Sequence, residues 1–420
     1  MNNKTIRAIK GTQDILPEES IKWQSLEDEI RKISSYYGYQ EIRTPAFEKT
    51  KLFSRSVGEE TDIVSKEMYS WTDQGGEDLT LKPELTASVA RAFIQHNLGL
   101  ISPVNKLYYI DALFRRERPQ KGRYRQFHQF GVEAFGSEYP EIDAEIIALA
   151  ISIFKSLGLE GIKLNLNSIG SLECRKNYRT ALKEYLKPHL TNLTETSQNR
   201  FNHNPLRILD TKAPNEIKIL EDAPDISDYW TNEDKTHFNE VIEYLEILKI
   251  EYVLMPRLVR GLDYYTRTTF EITAPSLGAQ NAICGGGRYD GLTEMLGGKP
   301  TPGIGFAAGM ERILLAMKSK QFNKNKVQIY IVGLGDHTRT TVIKLAQELR
   351  EQNLITEFDL LRRSLKAQLR EANKMSVKYA IIIGEEELES NQLEVKNFST
   401  GNQQKVKLSK IVEHMNSLSF

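Results

Sequence analysis

Cysteine is scarce: Cys174 and Cys284 lie far apart with no CxxC pair, which argues against a disulfide scaffold and against a cysteine-built zinc site. No run of about 18 apolar residues occurs, and the opening stretch MNNKTIRAIKGTQDILPEES lacks the apolar core that a signal peptide needs. A cytoplasmic location with no membrane partner is the default expectation. Net charge is missing too. The 56 Lys and Arg residues balance 56 Asp and Glu, so no overall field draws the chain to nucleic acid, and any such binding must come from local patches. The pattern GxxxxGK[ST] is absent, and the GxG pairs lack a third glycine at Rossmann spacing, so a nucleotide would need another cradle. There is no internal repeat and no low-complexity tract.

At 420 residues the chain has room for two or three domains, each with its own core. SIKWQSLEDEIRKISSYYG has helical spacing at Ile21, Leu26, Ile30 and Ile33, and Gly38 can end the helix. YQEIRTPAFEKTKLFSR reads as extended around Pro45, since a residue before proline avoids the α region. Between about residues 170 and 250 the composition turns polar and helical, with an acidic loop EDAPDISDYWTNED at 221–234; strand-like motifs resume afterwards, so this segment reads as a helical insertion. From Lys326 onward VQIYIVGLG, LITEFDL and KYAIIIGE read as strands separated by helices over 338–352 and 364–374, a βαβαβ module. The polar link KSKQFNKNK (318–326) is the expected hinge, giving domains 1–325 and 326–420.

The densest chemistry lies in FRRERPQKGRYRQFHQFGVEAFG, residues 114–136, whose first thirteen positions hold six basic residues and one acidic one. In the run 107–117, alternation puts Tyr109, Asp111, Leu113, Arg115 and Glu117 on one strand face; in 125–135 it puts Gln129, Gly131 and Glu133 together, with Phe130, Val132 and Ala134 opposite. If the two runs pair as an antiparallel hairpin, RPQKGRY is its tip and the polar faces form a floor. A guanidinium meets phosphate or carboxylate bidentately, and Glu133 can accept from an amine or imidazole, so the floor suits an anionic ligand with a cationic or hydrogen-bonding end. A charge run alone is more often a solvated edge with surface ion pairs; the alignment of Arg, Glu, Gln, Gly and Glu on one face lowers those odds.

Other stretches carry weaker signals. LTLKPELTASVARAFIQ (79–95) reads as strand then helix, with Glu84 and Thr86 near the helix start, which by itself suits a plain cap. RLVRGLDYYTRTTFEIT (257–273) begins with Arg260 in a turn, followed by Tyr264 and Tyr265. CGGGRYDGL and GGKPTPGIGFAAGMERILLAMK are glycine-rich, which lets backbone approach a ligand closely. In the second of these, Ala307, Ala308, Met310, Ile313, Leu314, Leu315, Ala316 and Met317 read as one buried helix, within which Arg312 would need an anionic partner.

Together these stretches resemble the signature motifs of class II aminoacyl-tRNA synthetases, and among them the histidyl-tRNA synthetases. YGYQEIRTPAFE is similar to motif 1, FRRERPQKGRYRQFHQFGVEAFG to motif 2 and GIGFAAGMERI to motif 3, while LVRGLDYYTRTTFE and GGGRYDGL resemble histidine-specific motifs. The resemblance implies an α+β catalytic domain on an antiparallel sheet with a helical insertion, a C-terminal α/β anticodon-binding domain and a homodimer. It further implies activation of L-histidine by ATP with Mg2+, transfer to tRNA(His), and no metal site built by a protein motif.

Carried over by position, the resemblance gives Glu84, Thr86 and Gln129 to the α-amino end of histidine and Glu133, Tyr264 and Tyr265 to the imidazole. Arg115 would bind the α-phosphate, Glu117 the adenine edge, Arg123 and Arg312 the outer phosphates, and Arg260 both substrate carboxylate and α-phosphate. Gln120 and Arg125 would face the tRNA acceptor end, and the basic run 362–378 would meet tRNA phosphate. One departure is Leu85, where the family often has glycine. Three rivals stand beside this reading: the synthetase-like regulatory subunit of ATP phosphoribosyltransferase, a class II synthetase for another amino acid, and a pure RNA-binding protein.

Overall fold

The computed structural model describes residues 5–58, 61–120, 122–278, 281–317 and 326–418, so all of the expected hinge except Lys326 lies outside the described residues. The chain divides into two compact units, Met1–Gln321 and Phe322–Phe420.

In the first unit the strands follow the chain as β1 (Gln40–Glu41), β2 (Phe47–Lys49), β3 (Tyr69–Thr72), β4 (Asp78–Leu81), β5 (Asn105–Phe114), β6 (Gln126–Phe135), β7 (Lys163–Ser168), β8 (Tyr252–Leu254), β9 (Thr266–Thr273), β10 (Ala282–Arg288) and β11 (Gly303–Gly309). Among the described residues the main sheet runs β1-β5-β6-β11-β10-β9-β7-β8, antiparallel except at its two edge pairs, and β2-β4-β3 form a small sheet beside it. The long hairpin β5/β6 pairs Asn105 with Phe135 and Phe114 with Gln126, which leaves RPQKGRY in the connection.

Period-two alternation then divides the sheet. Phe130, Val132 and Ala134 of β6 and Ile304, Phe306 and Ala308 of β11 join one apolar cluster with the helices Pro17–Tyr36 and Pro140–Ser156. Phe130, Phe154 and Phe306 are at most 2% exposed, each contributing roughly 1.5–3 kcal/mol of transfer free energy. The intervening residues face a second cluster, where the helix Thr86–Gln95 and the insertion pack. The chain leaves the sheet after Ser168 and returns at Tyr252. Between them stand the helices Leu172–Leu186, Glu195–His203, Pro214–Glu221 and Asn232–Ile247.

Three local expectations need correction. The first helix starts earlier than its apolar spacing suggests, with Pro17 in its first turn, and Thr50–Val57 is helical because Pro45 restricts only its neighbour Thr44. Ala307 and Ala308 lie on β11, not on a helix, and the following helix is short, Met310–Ala316, with Leu315 45% exposed.

The second unit has β12 (Ile329–Gly333), β13 (Thr356–Phe358), β14 (Tyr379–Ile383), β15 (Gln392–Asn397) and β16 (Gln403–Lys407) in the order β13-β12-β14-β15-β16. The first three are parallel and alternate with the helices Arg339–Glu351 and Leu365–Lys374; the antiparallel pair β15/β16 extends the expected module into a mixed sheet.

Candidate active site

The site begins at Gly131. On β5 its register partner is Tyr109, and a Cβ at Gly131 would meet the Tyr109 phenol and the Phe306 carbonyl. The missing side chain lets Tyr109 lie flat enough for its hydroxyl to donate to Glu133 Oε1 at 3.3 Å. Thr86 donates to the same oxygen at 2.7 Å, and Tyr289 donates to Oε2. Gly305, opposite Glu133 on β11, likewise leaves room for the carboxylate.

Glu133 is 1% exposed. Burial pushes its pKa up to about 8, against the pull of the Tyr289 and Thr86 hydroxyls. Glu84, 4% exposed, accepts from the Ala87 N–H at 3.0 Å at the start of the helix Thr86–Gln95; burial raises it to about 7, opposed by the N–H groups of Ala87 and Thr86. Tyr264 and Tyr265 close the cluster with ring centroids 4.8 Å apart, and Tyr264 meets Tyr289 edge-on. Leu85 has φ −112° and is buried in the apolar cluster, so this backbone needs no glycine.

These raised carboxyls set a pH dependence. Folded Glu84 and Glu133 hold protons that the unfolded chain, with carboxyls near 4.5, has released, so stability falls as pH rises from about 4.5 and levels off above about 8. Thermal unfolding of the ligand-free protein should therefore show a loss between about pH 5 and pH 8, and Glu133→Gln should reduce it by roughly several kcal/mol. An unchanged slope in that variant would show that Glu133 ionises normally.

Beside the carboxyl cluster, one cleft is lined by Arg115, Glu117, Arg123, Gln129, Arg260 and Arg312, with Gly285 and Gly309 in its walls. Arg115 and Glu117 lie past the end of β5 and are 3.7 Å apart; Arg123 reaches the other Glu117 oxygen at 3.2 Å. Arg115 also donates from Nε to the Pro83 carbonyl at 2.9 Å and stacks over Phe127. Asp111, by contrast, is taken up by the buried Lys82 at 2.5 Å, which anchors the turn before Glu84. Arg260 Nη1 meets Glu271 Oε2 at 2.6 Å; Gly285 pairs with Glu271 across the strands, and a Cβ there would strike the guanidinium.

The structure thus gathers Glu84, Thr86, Glu133, Tyr264 and Tyr265 in one buried cluster, and Gln129 with the four arginines and Glu117 around the adjoining cleft. Gln120 and Arg125 are not among its lining: Gln120 is exposed and bridges to Arg123 through backbone, and the Arg125 N–H donates to the Gly11 carbonyl at 2.7 Å. Sequence reasoning missed Tyr109, Tyr289 and Glu271. Tyr109 faces Gly131 in the hairpin register and was legible there; nothing in the sequence ties Glu271 to Arg260.

The sequence model of the family Histidyl-tRNA synthetase matches residues 11–313. The chain belongs to this family. A second family, Anticodon binding domain, matches 328–418, the mixed sheet of the second unit. Over 417 residues the chain is 49% identical to a histidine–tRNA ligase of Halothermothrix orenii, covering 98% of this chain and 99% of that protein. It is also similar to the apo histidyl-tRNA synthetase of S. aureus, with a TM-score of 0.83, 39% identity and coverage of 98% of this chain and 100% of that one. A Bacillus halodurans structure described as an ATP phosphoribosyltransferase regulatory subunit/histidyl-tRNA synthetase shares the fold at 24% identity and a TM-score of 0.63, covering 88% of this chain and 97% of that one. Within a histidyl-tRNA synthetase fold, the carboxyl cluster and the arginine cleft lie on one sheet, side by side.

Proposed function

We propose that the protein is a histidine–tRNA ligase, which uses ATP to convert L-histidine to histidyl-adenylate and then transfers histidine to tRNA(His). The observation that carries this reading is the convergence of Arg115, Arg260 and Arg312 on a cleft adjoining the buried carboxyls Glu84 and Glu133. Full-length similarity to a ligase at 49% identity supports it, whereas the structure whose description names a regulatory subunit shares the fold at 24% identity.

In this proposal Glu84, Thr86 and Gln129 hold the α-amino group and Glu133 with Tyr264 and Tyr265 the imidazole. Glu117 takes the adenine edge, Arg115 the α-phosphate and Arg123 with Arg312 the outer phosphates. The histidine carboxylate attacks the α-phosphorus in line; a carboxylate–phosphorus bond forms as the bond to the departing pyrophosphate breaks, and negative charge gathers on the phosphoryl oxygens. Fixed guanidinium groups aimed at that charge are the main requirement, and Arg260 bridges carboxylate and α-phosphate. No protein nucleophile enters the scheme. Magnesium is proposed as the ion that ATP brings on its phosphates.

The proposal extends to Gln120 and Arg125 at the tRNA acceptor end, to phosphate contacts from the run 362–378, and to a homodimer. No helix among the described residues is long and apolar enough to cross a membrane, and a cytoplasmic site of action is part of the proposal. Charging of a tRNA(His) transcript with labelled histidine tests the second step: histidine bound to the tRNA is expected, and its absence from a preparation that makes adenylate would sink the ligase reading. Glu133→Gln is expected to raise the histidine KM roughly 10-fold or more, because the amide cannot give up a proton on meeting the imidazole as the carboxyl can, and to leave the ATP KM within about twofold. An unchanged histidine KM would remove Glu133 from recognition.

A further inference from the structure

Arg260, Tyr264 and Tyr265 stand on a segment, residues 255–265, with no helix or strand of its own. Glu271 and Gly285 fix the tip of the Arg260 side chain, and that clamp keeps its place only if the loop backbone beneath it is held as well.

The hold comes from the helical insertion. Three alternate carbonyls of the segment accept from two of its arginines: Arg207 donates to Gly261 through Nη2, and Arg175 donates to Asp263 at 3.3 Å and to Tyr265 at 2.6 Å. The Asp263 side chain ties the same elements from below, its Oδ1 accepting from Asn204 Nδ2 at 2.7 Å and from Arg207 Nε at 3.2 Å. Gly58 permits this packing, since a Cβ there would strike the Asp263 carboxylate. Arg175 rides on the helix Leu172–Leu186, and Arg207 on the 3₁₀ turn Pro205–Asp210.

We infer that the helical insertion is a working part of histidine activation: through Asp263, its residues Arg175, Asn204 and Arg207 act as positioning residues that aim Arg260 at the cleft. The inference rests on the proposed ligase reading. None of the three is among the residues that line the cleft; each acts through the loop. A displacement of roughly an ångström at a transition-state contact lowers turnover by up to about 100-fold while ground-state binding changes little.

The test is a double-mutant cycle on the full-length protein, read by histidine-dependent ATP–pyrophosphate exchange well below each variant's melting temperature. Arg207→Ala is expected to lower kcat about 10-fold or more with the ATP KM within about threefold of wild type. In an Arg260→Ala background the same change should add less than about twofold, because the group it positions is gone. Should Arg207→Ala fail to fold, Asp263→Asn enters the same cycle with the same expectation. A kcat within twofold of wild type, or an equal loss in both backgrounds, overturns the inference. A wild-type protein with no histidine-dependent exchange overturns the ligase reading instead.

Discussion

Arg260→Ala is expected to lower histidine-dependent ATP–pyrophosphate exchange by roughly 100-fold or more while leaving tRNA binding within about twofold, because the guanidinium is aimed at charge that develops only in the transition state. Burial works against its charge, but Tyr265 and Glu271 outweigh that and hold its pKa above the ordinary arginine value. The side chain lies over Gly285 and is clamped by Glu271 at 2.6 Å, so its position is set before substrate arrives. Arg260→Lys should recover little, since a point charge on a flexible stem cannot bridge two anionic groups as a planar fork does. Near-normal exchange by the alanine variant would take Arg260 out of the mechanism.

The second large effect falls on stability. Arg288 is fully buried, with Nε on both oxygens of Asp143 (3.3 and 3.2 Å), Nη1 on the Ser137 carbonyl at 2.9 Å and on Asp290 at 3.1 Å, and Nη2 on the Tyr139 carbonyl at 3.1 Å and on Asp143. Burial opposes its charge, yet Asp143 and Asp290 raise its pKa above the ordinary value. Arg288→Ala leaves Asp143, itself 0% exposed, without its cation. His237 lies 3.9 Å from Asp143, and burial lowers its pKa to about 4, so in the intact protein Arg288 is the cation that Asp143 meets. Breaking such a pair should remove about 3–5 kcal/mol from the unfolding free energy of the first unit. It should also raise the histidine KM, because the next residue, Tyr289, donates to Glu133. A denaturant midpoint unchanged from wild type would show that the pair contributes nothing net.

How far the sequence could be read follows from which interactions are local. The polar floor was legible because strand alternation alone sorts Gln129, Gly131 and Glu133 from Phe130, Val132 and Ala134. The same rule applied to 303–309 sets Ile304, Phe306 and Ala308 against Gly303, Gly305, Ala307 and Gly309, but the apolar run that follows masks the strand with a helical pattern. Those glycines are there for close approach, Gly305 to the Glu133 carboxylate and Gly303 to the Tyr289 ring. The β15/β16 pair is hard to read from sequence because charged residues alternate along it, as at Glu394, Lys396, Lys405 and Lys407, a pattern that suits a sheet edge but gives little hydrophobic signal. What no local pattern reveals is the tie between Asp263 and Arg175 or Arg207, residues 88 and 56 positions away, or the meeting of Tyr289 with Glu133 across 156.

The central claim is that this cleft makes histidyl-adenylate. Its most direct test is ATP–pyrophosphate exchange run with each of the twenty amino acids and with none. Exchange with histidine alone is the predicted result; exchange with no amino acid, or with a different one, would contradict the account of the floor around Glu133 and the arginine cleft beside it.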